Sequence, residues 1–404
     1  MKISYLQVGP PEHGICRYGR ALAAEGRRRA DLLIIDENIT LEDKIWTDRR
    51  RLRELGRKLS ESDIVHIQVS PWSDGSWGRG WHALANLWTF RRHCRAPLVV
   101  TLHGVTALEV GRTVQTSLVR ETVRGFLHLG ARLLKQVAKG RLRRDQLFSG
   151  LWEFDVAYRF AVARLTSRSA SLLLVLTKLE RNLLEAAGIA NSVLIPHFVE
   201  DLPDPVPASG TGTPAAPGLI KTLVVAGFIL YSKGHHLLLD AMKLLPDVRV
   251  VFVGGPGVGA AGREQYSQIT SRLREMGIED RVEVTGYLSD DEFWRRLRMA
   301  DLAVCPFIEN KSASGSLSTL IAAGCPVLAS DIPLIAEYNA MVPGAILTFS
   351  PYTAEALAAS IACLLTMPRS ELAHGLAKLR KLLSIASIYN QHFDSYQRVL
   401  ASRA

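Results

Sequence analysis

Long apolar runs are missing from this sequence. None reaches the roughly 18–20 residues that a helix needs to span a bilayer, so no transmembrane segment is expected. Cysteine is sparse as well. The five cysteines, Cys16, Cys94, Cys305, Cys325 and Cys363, are scattered and odd in number, with no CxxC or Cys/His metal spacing. That counts against a disulfide framework or a structural zinc, and points to buried thiols in a reducing compartment. A signal peptide is not expected either. The opening MKISYLQVG reads directly as a strand, with no long apolar core before a cleavage site. A cytoplasmic protein follows, and the sequons at Asn38 and Asn310 read as chance matches. No aromatic–basic module of a nucleic-acid binder is present.

What the chain does have is length and positive charge. At 404 residues it exceeds the roughly 250–300 residues at which single cores stop growing, so two domains are expected. Its 48% hydrophobic and 22% charged residues suit a folded globular protein rather than a disordered one. The formal net charge of +10 suits an anionic partner, which charge alone leaves open among phosphate-bearing ligands and an acidic membrane face.

Short apolar strands alternate with helical patterns in both halves. In the first half, strands are expected at Met1–Val8, Ala30–Ile35, Ile64–Val69 and Pro97–Leu102, with a helix near Ile15–Glu25. The rhythm restarts at Lys221, with strands at Thr222–Ala226, Val248–Val253, Val282–Thr285, Leu302–Cys305 and Pro326–Ala329. Near-continuous apolar runs suit parallel strands buried on both faces. The expectation is an α/β protein of two doubly wound parallel sheets, with ligands at the carboxyl ends of the strands. The divisions are residues 1–200, a Pro/Gly/Ser/Thr-rich linker at 201–218, residues 219–385, and a C-terminal helix at 386–404 that crosses back to the first domain. A long surface loop is the competing reading of 201–218.

One segment breaks the alternation. From Arg112 to Arg144 the chain carries nine Lys/Arg and a single acid, Glu121. On a helix, Val119, Val123, Phe126, Leu127, Leu133, Leu134 and Val137 fall on one side and Arg120, Arg124, Arg132, Lys135 and Lys139 on the other. Such a basic insert, spanning about 112–150, either lies on an anionic membrane or packs its apolar stripe on its own domain.

The chemistry concentrates in the second half. In VVAGFILYSKGHHLLLDAM, Val224–Met242, a strand ends at Gly227 and Lys233 stands just before a helix. A diphosphate there is favoured both by the helix dipole and by the ammonium. A second strand ends in Gly254 and Gly255. Asp280–Phe307 follows, and then the small residues Ser312–Ser318 precede a helix whose first amides can cradle phosphate. Each motif alone is weak. The glycines 257, 259 and 262 match a dinucleotide fingerprint in letters only. His235 and His236 are adjacent on a helix, so they point about 100° apart and make a poor metal pair.

As an ordered set, these motifs resemble glycosyltransferase family 4, over nearly all of Lys221–Asn339. The resemblance implies the GT-B fold and transfer of a sugar, with retained anomeric configuration, from a nucleoside-diphosphate sugar to a hydroxyl. No metal or other cofactor is implied. The base is expected near Gly286 and Tyr287. The diphosphate is expected on Lys233 and the loop Ser314, Gly315, Ser316 and Leu317, with Gly227 allowing close backbone approach. In the first half, Gly9–Ala23 resembles the family's glycine-containing first loop and puts Gly14 at the donor phosphates. Val99–Val105 resembles the strand whose His, here His103, reaches the donor sugar. Lys233 and His103 are thus the expected catalytic residues. No protein nucleophile is implied.

Two departures from the family pattern stand out. Most members carry an Arg five positions before the Lys, where this chain has Phe228. Most also carry two glutamates eight apart, at the places held here by Lys311 and Thr319. The second Glu usually holds the ribose, so Thr319 is left as a weaker donor, and Lys311 or Glu309 as a substitute contact. For the acceptor, Trp72, Asp74 and Trp77 in the loop Ser70–Trp81 can stack on sugar rings or bond hydroxyls; equally, the tryptophans can anchor the loop in the core. A lipid-linked or glycan acceptor and a soluble small molecule both remain open. Two other readings stay beside the enzyme: a non-catalytic binding or scaffold protein of the same shape, favoured by the missing glutamates, and a nucleotide-sugar epimerase, which needs acid and histidine pairs not evident here.

Overall fold

A computed structural model describes residues 1–11, 13–41, 45–70, 77, 81–104, 165–186, 188–202, 220–257, 259–308 and 312–403. The chain divides into two compact units: Met1–Pro196 with Tyr389–Ala404, and His197–Ile388. The basic segment 112–144, most of 201–218, Trp72, Asp74, Glu309 and Lys311 lie outside the described residues.

In the first unit the elements run β1 (Lys2–Val8), α1 (Gly14–Arg27), β2 (Leu33–Ile39), α2 (Ile45–Leu59), β3 (Ile64–Val69), α3 (Trp81–His93), β4 (Leu98–Leu102), β5 (Leu172–Val175), α4 (Lys178–Ala186) and β6 (Ser192–Leu194). The sheet order is β2-β1-β3-β4-β5-β6, and every pair is parallel. Strand β3 is buried at every residue and β4 likewise, as strands covered on both faces must be. Helix α1 buries Tyr18, Leu22 and Gly26, one face at a spacing of four. Helix α4 is opened by a capping box: the amide of Glu180 donates to Thr177 Oγ1, and the Glu180 carboxylate accepts from the Leu176 and Thr177 amides.

The second unit continues with β7 (Lys221–Ala226), α5 (His235–Ala241), β8 (Val248–Val253), α6 (Gly259–Met276), β9 (Val282–Val284), α7 (Asp290–Met299), β10 (Leu302–Cys305), α8 (Gly315–Ala323), β11 (Val327–Ser330), α9 (Pro333–Met341), β12 (Leu347–Phe349), α10 (Ala354–Leu364), α11 (Arg369–Leu372) and α12 (His374–Leu382). Its parallel sheet has the order β12-β11-β10-β7-β8-β9. The last helix, α13 (Ile385–Ala401), belongs to the first unit from Tyr389 onward.

Each sheet reverses its winding at its centre, between β1 and β3 in the first unit and between β7 and β10 in the second. The connections on either side diverge there and leave a crevice at the strands' carboxyl ends. In the first unit, candidate residues follow β1, β3 and β4; in the second, a separate group follows β7, β9 and β10.

Two expectations need correction. The second strand is Leu33–Ile39, not Ala30–Ile35. It is an edge strand, only partly buried, so Asp36, Glu37 and Asn38 are tolerated in it and mask its apolar signal. Cys363 is exposed, whereas the other four thiols are buried. Helix α10 turns Leu357, Ala358 and Ile361 inward, which sends position 363 outward. No helix among the described residues is long and apolar enough to cross a membrane.

Candidate active site

In the second unit, two glycines set the path of the chain. Gly227, just past β7, has φ +101°, and a side chain there would strike the Ser316 hydroxyl. Gly234 has φ +70°, and a side chain there would run into the Pro306 carbonyl. Only glycine fits both demands. Between them, a 3₁₀ turn at Tyr231–Lys233 aims Lys233 at the start of α8. Its ammonium donates to Ser314 Oγ at 3.2 Å and Ser316 Oγ at 3.4 Å, and lies 4.3 Å from the centre of the Phe307 ring.

Among the described residues that surrounding is polar and carries no opposite charge. Among the described residues no carboxylate pairs with Lys233. Burial pushes its pKa below the ordinary lysine value, opposed only by the neighbouring Cys305. The Cys305 thiol is itself pushed up to about 12 by burial. A desolvated ammonium without a counter-ion is costly, and an incoming anion relieves it. Helix α8 adds to the attraction. Ser314 caps it by accepting from the Leu317 amide at 3.3 Å. The amides of Gly315 and Ser316 donate to no group among the described residues, and they point out at the positive end of the helix dipole. Lysine, two hydroxyls and two open amides gather at the switch point of the sheet, an arrangement chemically able to hold an anion.

The remaining second-unit candidates divide. Gly286 has φ +66° with open space beside it. Tyr287 is 71% exposed, its hydroxyl donating to the Pro256 carbonyl at 3.0 Å. Phe228, at the place of the family arginine, is exposed and meets Tyr287 edge-on, with ring centres 6.3 Å apart. Leu317 offers no donor, because its side chain is buried and its amide is taken by the cap. The Thr319 hydroxyl donates to the Gly315 carbonyl at 2.7 Å, so its proton is turned back on its own helix. His235 and His236 diverge: the first is buried edge-on to Phe252, and the second stacks on Tyr231. No three His, Cys, Asp or Glu side chains gather into a metal site among the described residues.

In the first unit, His103 follows β4, and its amide donates to the Val69 carbonyl at 2.8 Å. Its Nε2 donates to Gln68 Oε1 at 2.8 Å, and its ring stands edge-on to Tyr18. Gly14 opens α1, with nothing within 4 Å of the position a side chain would take. Trp77 is not an acceptor platform. It is fully buried, its indole N–H donates to the Gln68 carbonyl at 2.9 Å, and its ring meets Phe90 edge-on. A ring with no exposed face cannot stack on a sugar, so Trp77 is the anchor of its loop.

Three contacts were not anticipated: Phe307 beneath the lysine, Tyr18 against His103, and Gln68 behind it. Only Gln68 leaves a trace in the sequence. With His66 it forms a pair of polar residues, two apart, in a strand that is otherwise wholly apolar.

Residues 216–381 match the family described as Glycosyl transferases group 1. That match falls within the second unit and leaves the first outside it. Curated relatives of this chain include mannosylfructose-phosphate synthase of Agrobacterium fabrum (strain C58), 30% identical over 21% of this chain and 20% of the relative. D-inositol 3-phosphate glycosyltransferase of Mycolicibacterium gilvum is 32% identical over 34% of this chain and 31% of the relative. The chain therefore matches less than half the length of either relative. The glycosyltransferase likeness in fold extends over the whole chain. Anabaena HepE in complex with UDP-glucose aligns over 100% of both chains with a TM-score of 0.65 and 18% identity. Sucrose-phosphate synthase of Thermosynechococcus elongatus does so over 100% of both chains at 0.67 and 16%. Two parallel six-stranded sheets, each flanked by helices, are the GT-B fold.

Proposed function

We propose that this chain transfers a sugar from a nucleoside-diphosphate sugar to a hydroxyl acceptor with retention of configuration. The observation that carries the proposal is the Lys233 ammonium, held by Ser314 and Ser316 with no paired carboxylate among the described residues. Breaking the glycosidic bond of such a donor releases a diphosphate, so catalysis consists mainly of neutralising charge as it develops. Lys233 and the Gly315 and Ser316 amides supply that charge without a metal. Gly286 and Tyr287 receive the base. His103 orients the sugar, and Gly14 leaves room for the donor phosphates. That HepE was crystallised with UDP-glucose supports this class of donor.

The test is calorimetric binding of a panel of sugar nucleotides to wild type and to Lys233→Ala, followed by donor hydrolysis and transfer to sugar-phosphate, lipid-linked and small hydroxyl acceptors. Micromolar binding that the substitution weakens about 10–150-fold is the expected result. A protein that binds none of the donors sinks the reading. Binding without turnover would leave a GT-B-shaped binding protein in its place.

A further inference from the structure

We propose that Gln68 is a positioning residue for His103, holding it in the tautomer protonated at Nε2 and tying it through His66 to Tyr396 on the last helix. This rests on the reading of His103 as the residue that orients the donor sugar.

Strand pairing gathers the residues concerned. His66 and Gln68 are two apart on β3, so they share one face of the sheet. Thr101 on β4 is the register partner of Gln68, and His103 lies two residues beyond it. Helix α1 packs tightly on the same face: a side chain at Gly19 would come within 3.0 Å of Gln68 Cγ. Gln68, His66 and Thr101 are all buried, and the amide of Gln68 is confined between two imidazoles.

The polarity of each bond then follows from the one before. The Gln68 amide oxygen can only accept, so His103 Nε2 carries a proton and donates across 2.8 Å. The amide nitrogen can only donate, so His66 Nε2 presents a lone pair to it at 3.2 Å. The Thr101 hydroxyl donates to the same nitrogen at 2.7 Å. Burial holds the His66 pKa well below its ordinary value, which keeps the ring neutral with a single proton. That proton is on Nδ1 and is donated to the Tyr396 hydroxyl at 2.7 Å. The Tyr396 hydroxyl also bonds the Tyr5 hydroxyl at 3.1 Å, where either can donate. The chain of bonds thus starts in the sheet's core and ends by fixing His103 Nε2 as a donor, which sets the attitude of that ring. Loss of Gln68 lets the imidazole turn over or change tautomer, and the sugar is then held in the wrong attitude.

The experiment compares Gln68→Leu, His103→Ala and the double variant, with nitrogen-15 NMR of the labelled histidines. In wild type, His103 is expected as the Nε2-protonated tautomer. In Gln68→Leu it becomes a mixture, and kcat falls about 10–100-fold, the order expected from misplacing a substrate-orienting group. The Kd of the nucleoside diphosphate alone stays unchanged. In the His103→Ala background, Gln68→Leu produces no further loss, because Gln68 acts only through His103. Gln68→Glu keeps an acceptor toward His103 and is expected to keep Nε2 protonated even if the leucine variant folds poorly. An unaltered His103 tautomer in Gln68→Leu, or losses that multiply in the double variant, overturns the proposal. If His103→Ala is as active as wild type, the sugar-orienting reading itself falls. If His103→Ala is slow and Gln68→Leu is not, that reading stands and the positioning role falls.

Discussion

The polar centres of the two units are built on opposite plans. Around His103, neutral groups are matched donor to acceptor from Gln68 to Tyr5, and burial keeps His66 uncharged. Around Lys233, a cation is drawn out of water toward two hydroxyls and an aromatic ring, with its natural partner absent from the described residues. A matched network rigidifies and positions. An unmatched charge binds. The first unit's cluster pairs its neutral groups with one another, whereas the second unit's cluster leaves a cation, which under our proposal an anion completes.

Each substitution below presses on that contrast. The largest effect is expected at Trp77, which ties its loop to the backbone of the residue that holds His103. Trp77→Ala should destabilise the first unit by about 3–5 kcal/mol, measured by urea unfolding, with nucleoside-diphosphate binding retained wherever the protein remains folded. Lys233→Ala should weaken that binding by about 1.5–3 kcal/mol, the worth of a hydrogen-bonded charge, as read by calorimetry. Equal affinity in the two proteins would erase the contrast. Lys233→Met should have the reverse effect on the empty protein. The lysine pKa is lower folded than unfolded, so its charged form opposes folding at neutral pH, and that penalty fades as pH rises toward the ordinary value of 10.5. Removing the charge should raise the ligand-free Tm by about 2–4 °C at pH 7, with a smaller gain at alkaline pH. In wild type, donor affinity should decline with rising pH from below 10.5, and the methionine variant should lack that component. The smallest effect is expected at Thr319. Its hydroxyl already donates to Gly315, so Thr319→Val should change stability and donor affinity by less than about 0.5 kcal/mol.

Much of the fold was legible because parallel strands covered on both faces read as unbroken apolar runs. Strands β1, β3, β7, β8 and β10 lie where those runs are. Strand β2 was misplaced because, at a sheet edge, half of its residues need not be apolar. In the second unit the site was readable from order: glycine, lysine and the small-residue loop follow β7 and β10, and the sheet brings those strands side by side. Their ligand roles remain proposals. The first unit was harder to read. Trp77 looks the same in sequence whether it faces a sugar or the core, and only its burial decides. Gln68 acquires meaning from register, since its neighbours Thr101 and His103 arrive from a strand more than thirty residues away. Thr319 was a plausible donor by type, but helix geometry offers its proton a nearer carbonyl one turn back.

Tyr396 has a consequence for the order of events during synthesis. It meets His66 across 330 residues of sequence and Tyr5 across 391, with the whole second unit made in between. While the ribosome is still translating that unit, the first sheet has His66 with its Nδ1 proton unmatched in a half-closed core. The second unit is continuous in sequence and suffers no such wait. The first-made sheet therefore closes only when Tyr396, made after the whole second unit, arrives.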